Sequence, residues 1–290
     1  MNLSISNFRN IKLILFQFFV FFSIYNLLLF YKSPTITSYQ SQWQQNYSIA
    51  QKFIYNLTKA NVIVGSSLAA RMRNRFLDKN LYNLSFSGGS VLTGLEIIKQ
   101  SNTIPKYIFI EINTIFREQD IKMLNSLYYP IWSKVKRYLP ALIEKNQPLN
   151  LILSKLKNLY GKSHINHLKE ARNQRNFEMS LKLKKLEFQI ENNDLKDKLI
   201  KLKLLINYLE LKGAIILFFE MPIEKSLVNS IKMKQIRKVL QENFSNKNLL
   251  ISYMNYTTSD GLHLLYKDAY EYTKKFKKSV NQYEKILRVN

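Results

Sequence analysis

Three short segments, residues 62–68, 83–89 and 260–263, each close what reads as a β-strand, and the residue types at their ends suit acyl transfer. A hydroxyl nucleophile needs a base within hydrogen-bond reach, a group that orients the base, and fixed N–H donors where the oxyanion forms. Ser67, His263 and Asp260 could fill the first three roles and the Gly88 amide the fourth. Each segment taken alone has an ordinary explanation. Gly65-Ser66-Ser67 could be a helix-capping turn, and Gly88-Gly89 a turn that needs positive φ. Asp260-Gly261 is a common turn pair, and His263 could be a surface or core imidazole. Their joint occurrence, in this order and each at a strand end, is what points to catalysis.

The elements that must position these residues are legible as alternation. Five β-rich runs occupy 61–65, 81–86, 107–112, 214–219 and 249–253, mostly as continuous apolar stretches, the pattern of strands buried on both faces of a parallel sheet. Helical patterns over 68–77, 91–99, 226–243 and 267–287 separate them. The expected fold is therefore α/β with a doubly wound parallel sheet, in which ligand sites lie at the carboxyl ends of the strands.

Between the third and fourth strands an insertion runs from about 117 to 213, too long for a loop. Its Leu/Lys-periodic stretch 195–211, opened by Asn193-Asp194 and closed by Gly213, reads as a helix of a cap or of a partner-docking module. His164, His167 and Glu170 would share one helix face and could ligate a metal. Without an HExxH pattern the preferred reading is a solvated face, and no metal is assigned. Trp132 among Tyr128, Tyr129 and Tyr138, with Lys134, Lys136 and Arg137, could meet lipid headgroups or a glycan; packing of an amphipathic helix is the preferred account. Glu111 and Glu220 stand near strand ends as neighbours of the site.

Residues 13–31 form a charge-free apolar run of bilayer length, and no A-x-A-like cleavage site follows at 31–34, so the run is expected to be an uncleaved transmembrane anchor. Arg9 and Lys12 before the run, against Lys32 after it, favour a cytoplasmic N-terminus over 1–12 and a domain outside the cytoplasm. Residues 32–60 read as a stalk and 61–290 as the catalytic domain. The chain has 290 residues and a formal charge of +24, carried mostly by Lys. That charge favours an anionic envelope surface, and no nucleic-acid-binding signature accompanies it, so no specific nucleic acid is expected. The absence of Cys excludes disulfides and thiolate metal sites.

With these blocks in order, the chain resembles the SGNH (GDSL-type) hydrolase superfamily. Gly65-Ser66-Ser67-Leu68 resembles the serine block, with Ser66 where many members have Asp; Asn83-x-Ser85-x-Ser87-Gly88 is similar to the glycine block. Ser259-Asp260-Gly261-Leu262-His263-Leu264 is similar to the terminal Asp-x-x-His block and is the most specific match. The third block departs from the pattern, with Glu111-Ile112-Asn113-Thr114 in place of Gly-x-Asn-Asp, so Asn113 reaches the oxyanion only by a local shift. The resemblance implies a flavodoxin-like sheet, Ser67–His263–Asp260 catalysis without a cofactor, and an oxyanion hole at Gly88 with Asn113. Membrane-anchored relatives with Gly-Ser-Ser help O-acylate envelope polymers. The expected function is thus an extracytoplasmic acyl esterase or O-acyltransferase on an envelope glycan, with a multi-spanning acyltransferase as a candidate partner. The alternatives are an inactive scaffold docking such a partner and a basic tether for anionic polymer.

Overall fold

The computed structural model describes residues 5–32, 36, 39–56, 60–101, 103–160, 171–187, 190–244, 247, 251 and 255–289. They fall into two units, Met1–Gln51 with Asn125–Gly161, and Lys52–Leu124 with Lys162–Asn290. The second unit holds the sheet. Strands β1 (Asn61–Val64), β2 (Leu81–Asn83), β3 (Tyr107–Glu111) and β4 (Ile215–Phe219) pair in the order β2-β1-β3-β4, all parallel. The register sets Val62 beside Ile108 and Val64 beside Ile110, with Phe109 beside Leu217. Strand β1 has β2 on one side and β3 on the other, so the chain reverses direction across the sheet there. The continuous apolar pattern has its expected cause, because every residue of β3 is buried.

Each face has its own cover. Val64 meets α3 (Val91–Gln100) so closely that a Cβ on Gly94 would lie 2.5 Å from its Cγ1. On the other face Phe276 of the last helix packs edge-on against Phe109 and Phe219, at centroid separations of 5.4 and 4.9 Å. The fold is α/β with an all-parallel four-stranded sheet and eleven α-helices among the described residues. The fifth β-rich run expected at 249–253 lies, apart from residue 251, outside them.

The expected helix over 68–77 is two 3₁₀ turns, Ala69–Arg71 and Asn74–Phe76. The reason is that Asn83 Nδ2 donates to the carbonyls of Ala69 and Met72, both at 2.7 Å, which a continuing helix would need as acceptors. The pattern over 226–243 divides likewise, because Ser230 caps a new helix through its Oγ, which accepts the Met233 amide. The insertion's long helix, Asn192–Leu211, ends as expected. Gly213 sits at φ 90°, and the Ala214 amide reaches back to the Leu209 carbonyl at 3.0 Å.

In the first unit, α1 (Ile5–Tyr31) contains one stretch, Asn10–Tyr31, long and apolar enough to cross a membrane. Its residues 11–21 are exposed, whereas Asn26 and Leu29 are buried. Helix α2 (Gln42–Asn56) falls within the expected stalk segment but is largely buried, with Tyr47, Ala50, Gln51 and Phe53 at 5% exposure or less. Residues 125–161 of the insertion group with the first unit and the rest with the sheet, so the insertion is not one module.

Candidate active site

Strand β1 runs into a turn that tolerates no side chain at its first residue. A Cβ on Gly65 would lie 2.6 Å from Ala69 Cβ and 2.7 Å from Glu111 Oε2. The next residue, Ser66, is fully buried and points at Glu111. Its amide donates to Oε2 at 2.7 Å, its hydroxyl donates to the same oxygen at 2.9 Å, and the Ala69 amide adds a bond at 3.3 Å. Ser66 Oγ in turn accepts the Leu68 amide. With Ser66 held inward, Ser67 stays partly accessible.

The base arrives from a tight loop. Thr258 and Leu264 form an antiparallel bridge, the Ser259 amide donates to the His263 carbonyl at 2.8 Å, and Gly261 makes the reversal at φ 88°. Inside it, Asp260 Oδ1 accepts the amides of Leu262 and His263 at 3.1 and 2.8 Å. Asp260 Oδ2 lies 2.7 Å from His263 Nδ1, and His263 Nε2 lies 2.8 Å from Ser67 Oγ. The three residues first singled out therefore meet, across 196 residues of sequence, as a continuous hydrogen-bonded chain. The second serine, not the first, is the one on the histidine.

The electrostatics assign the protons. Burial alone would raise the Asp260 carboxyl, but the His263 ring and the His263 and Leu262 amides outweigh it and hold the group well below the usual carboxylate range. An ionised carboxylate only accepts, so Nδ1 carries a hydrogen, and in the neutral imidazole Nε2 then offers its lone pair to the Ser67 hydroxyl. Glu111 goes the other way. Burial pushes its carboxyl up, and the bonds from Ser66 and Ala69 and the charge of Arg117 do not reverse that.

For the oxyanion, the Phe86 amide donates to the Gly65 carbonyl at 3.2 Å and so ties the glycine turn to the serine turn. Gly88 lies exposed on that turn at φ 70°. Asn113 is engaged elsewhere: its Oδ1 accepts the Met221 amide at 2.7 Å and its Nδ2 donates to the Met221 carbonyl at 3.0 Å. The carboxamide thus clamps the end of β3 to the chain after β4, and only its second Nδ2 hydrogen remains for any other acceptor.

No family model matches the chain, and no curated protein is detectably similar to it.

Two supporting groups have no motif of their own. Arg172, in the insertion, donates from Nε to the Thr258 carbonyl at 2.8 Å, pairs with Glu224 at 3.3 Å and lies over the Phe177 ring at 3.7 Å. The Glu224 amide donates to the Gly261 carbonyl at 2.8 Å, so both residues brace the loop that carries Asp260 and His263. Glu111, noted only as a neighbour, is the anchor of the serine turn. Glu220 instead pairs with Arg237 at 2.6 Å. His164, His167 and Glu170 lie outside the described residues. An open cavity of about 560 Å³ beside the end of β3 is lined by Thr114, Arg117, Glu118, Lys198 and Lys232 among others. None of Ser67, His263 and Asp260 lines it, although Arg117 reaches the Gly89 carbonyl at 3.3 Å.

Proposed function

We propose that the protein is a membrane-anchored, SGNH-type serine acyl esterase or O-acyltransferase acting outside the cytoplasm on acyl esters of an envelope glycan. The observation that carries the reading is the Ser67–His263–Asp260 chain, with links of 2.8 and 2.7 Å at the carboxyl end of the sheet where the chain reverses direction. Ser67 Oγ attacks the acyl carbonyl, His263 takes its proton and returns it to the departing alcohol oxygen, and Asp260 stabilises the imidazolium. The amides of Ser67 and Gly88 are the proposed donors to the developing oxyanion, with the second Nδ2 hydrogen of Asn113 as a further one. The acyl-enzyme is then resolved by water or by a sugar hydroxyl. No step requires a cofactor. The apolar helix Asn10–Tyr31 supports the anchoring, and the charge of +24 suits an anionic envelope surface.

The test is covalent labelling of the purified full chain with a fluorophosphonate. Labelling should occur in the parent and vanish in Ser67→Ala and in His263→Ala. A label that persists in Ser67→Ala, or a parent that never reacts, sinks the enzyme reading.

A further inference from the structure

Helix α6 (Pro148–Tyr160) is inverted relative to a soluble helix. Among its described side chains the buried ones are polar, Asn150 and Ser154, at 0% and 3% exposure. Leu149, Ile152, Leu156 and Leu159 are exposed, spaced three, four and three apart along one stripe, with Lys155 exposed beside them. Helix α5 (Pro130–Tyr138) has no fully buried residue, Ser133, Val135 and Lys136 being half-buried. Ile131, Trp132 and Tyr138 stand exposed on it, alongside Lys134 and Arg137. Trp132, for which packing of an amphipathic helix is the preferred account from sequence, is itself 53% exposed.

Both helices belong to the unit that contains α1, and the segment joining them docks on that helix. Asn26 Oδ1 accepts the Ala141 amide at 3.0 Å, and the Tyr25 hydroxyl donates to the Asn146 carbonyl. These contacts fall five and six residues before Tyr31, the end of the apolar stretch, or about 7–9 Å along the axis at 1.5 Å per residue. Interfacial helices seat their apolar faces about 5–10 Å into the boundary between headgroups and acyl chains.

We propose that α5 and α6 lie in the interfacial layer of the bilayer leaflet at the C-terminal end of α1, their exposed apolar side chains among the lipids. This rests on the reading of α1 as the membrane anchor. With 13 residues, α6 extends about 20 Å, too short to cross a core of about 30 Å, so it runs along the leaflet. Trp and Tyr alternating with Lys and Arg on α5 is the composition that settles at headgroup level. The occupant of the stripe is lipid rather than protein because the segment joining the two helices docks on α1 near the end of its apolar stretch, and because inverted burial follows when the outside solvent is apolar.

The experiment uses the full chain in phosphatidylcholine–phosphatidylglycerol vesicles. Trp43→Phe leaves Trp132 as the sole tryptophan, since the chain has two. Its emission should shift to the blue and be lost preferentially in vesicles brominated at the headgroup end of the acyl chains. The chain has no cysteine, so Leu156→Cys accepts a single nitroxide. Oxygen and nickel-complex accessibilities should place that label about 5–10 Å below the phosphates. If the chain resists alkaline carbonate extraction yet both probes report water, the inference fails while the anchor stands; that is also the outcome if a partner protein is the true occupant. Spin–spin broadening between labelled chains would assign the stripe to a second copy and overturn the proposal. Extraction by carbonate would remove the anchor reading itself.

Discussion

Both carboxylate oxygens of Asp260 are engaged, one by two main-chain amides and the other by the imidazole. An Asp260→Asn variant can keep the Oδ1 contacts, but it offers Nδ1 an amide instead of a carboxylate and favours the wrong tautomer. Turnover of a small acetyl ester should fall by about 10²- to 10⁴-fold in kcat with KM little changed. A loss below about threefold, in a variant whose circular dichroism matches the parent, would show that another group orients the base. The same group sets an acid limit on the loop. Its carboxyl is lowered in the folded state, so its stabilisation is complete above the ordinary carboxylate range near pH 4 and declines as the pH falls toward the folded value. Asp260→Asn should lack that part of the acid transition in a pH series of thermal melts. Glu111 has the opposite sign, being raised by burial, so its contribution is greatest at low pH and is lost as pH rises through the raised value. Glu111→Gln keeps an acceptor for the Ser66 and Ala69 amides and should flatten that slope with the fold intact. Glu111→Ala leaves both amides buried and unpaired, at about 1–3 kcal/mol each, and should be visible as a lowered urea midpoint.

At the scale of elements, the loop that carries Asp260 and His263 depends on a segment that carries no chemistry. Arg172 reaches Thr258 across 86 residues and holds the loop together with Glu224. Arg172→Ala should leave Ser67 reactive toward a fluorophosphonate but slow ester turnover by about 10- to 100-fold, because a small displacement of His263 weakens proton transfer. Unchanged turnover would show that the hairpin bridge and the Asp260 turn alone fix the histidine. The difference between what was legible in the sequence and what was not follows from range. Ser67, Gly88, Asp260 and His263 sit in short motifs at strand ends, and continuous apolar runs disclosed the strands. Glu111 and Arg172 act on partners tens of residues away, and no local spacing records such a pairing. The 3₁₀ turns after Ser67 were hidden for the same reason, since the competitor for their carbonyls is Asn83 on the neighbouring strand. On α6 the periodicity was readable, but periodicity does not say which face is covered.

At the scale of the molecule, one apolar helix and a strongly basic chain raise the question of which side of a membrane holds the site. Arg9 and Lys12 before the charge-free run 13–31 outnumber the single Lys32 after it, and charges within about 15–20 residues of a span end are those that set orientation. The many lysines farther along carry little weight in that choice, because long domains translocate largely regardless of charge. The sheet unit should therefore face away from the cytoplasm. Single cysteines in the cysteine-free chain can test this with a membrane-impermeant maleimide on intact cells. Lys79→Cys, at an exposed turn before β2, should label from outside, whereas Asn2→Cys should label only after permeabilisation. The reverse pattern would put Ser67 and His263 in the cytoplasm, where envelope glycans are not the available acceptors, and the proposed substrate class would fall even if serine reactivity survived. Labelling at neither position in intact cells, with both reactive after permeabilisation, would leave the domain inside and have the same consequence. Only outward labelling at Lys79→Cys is compatible with an acyl-enzyme resolved by a hydroxyl of the envelope.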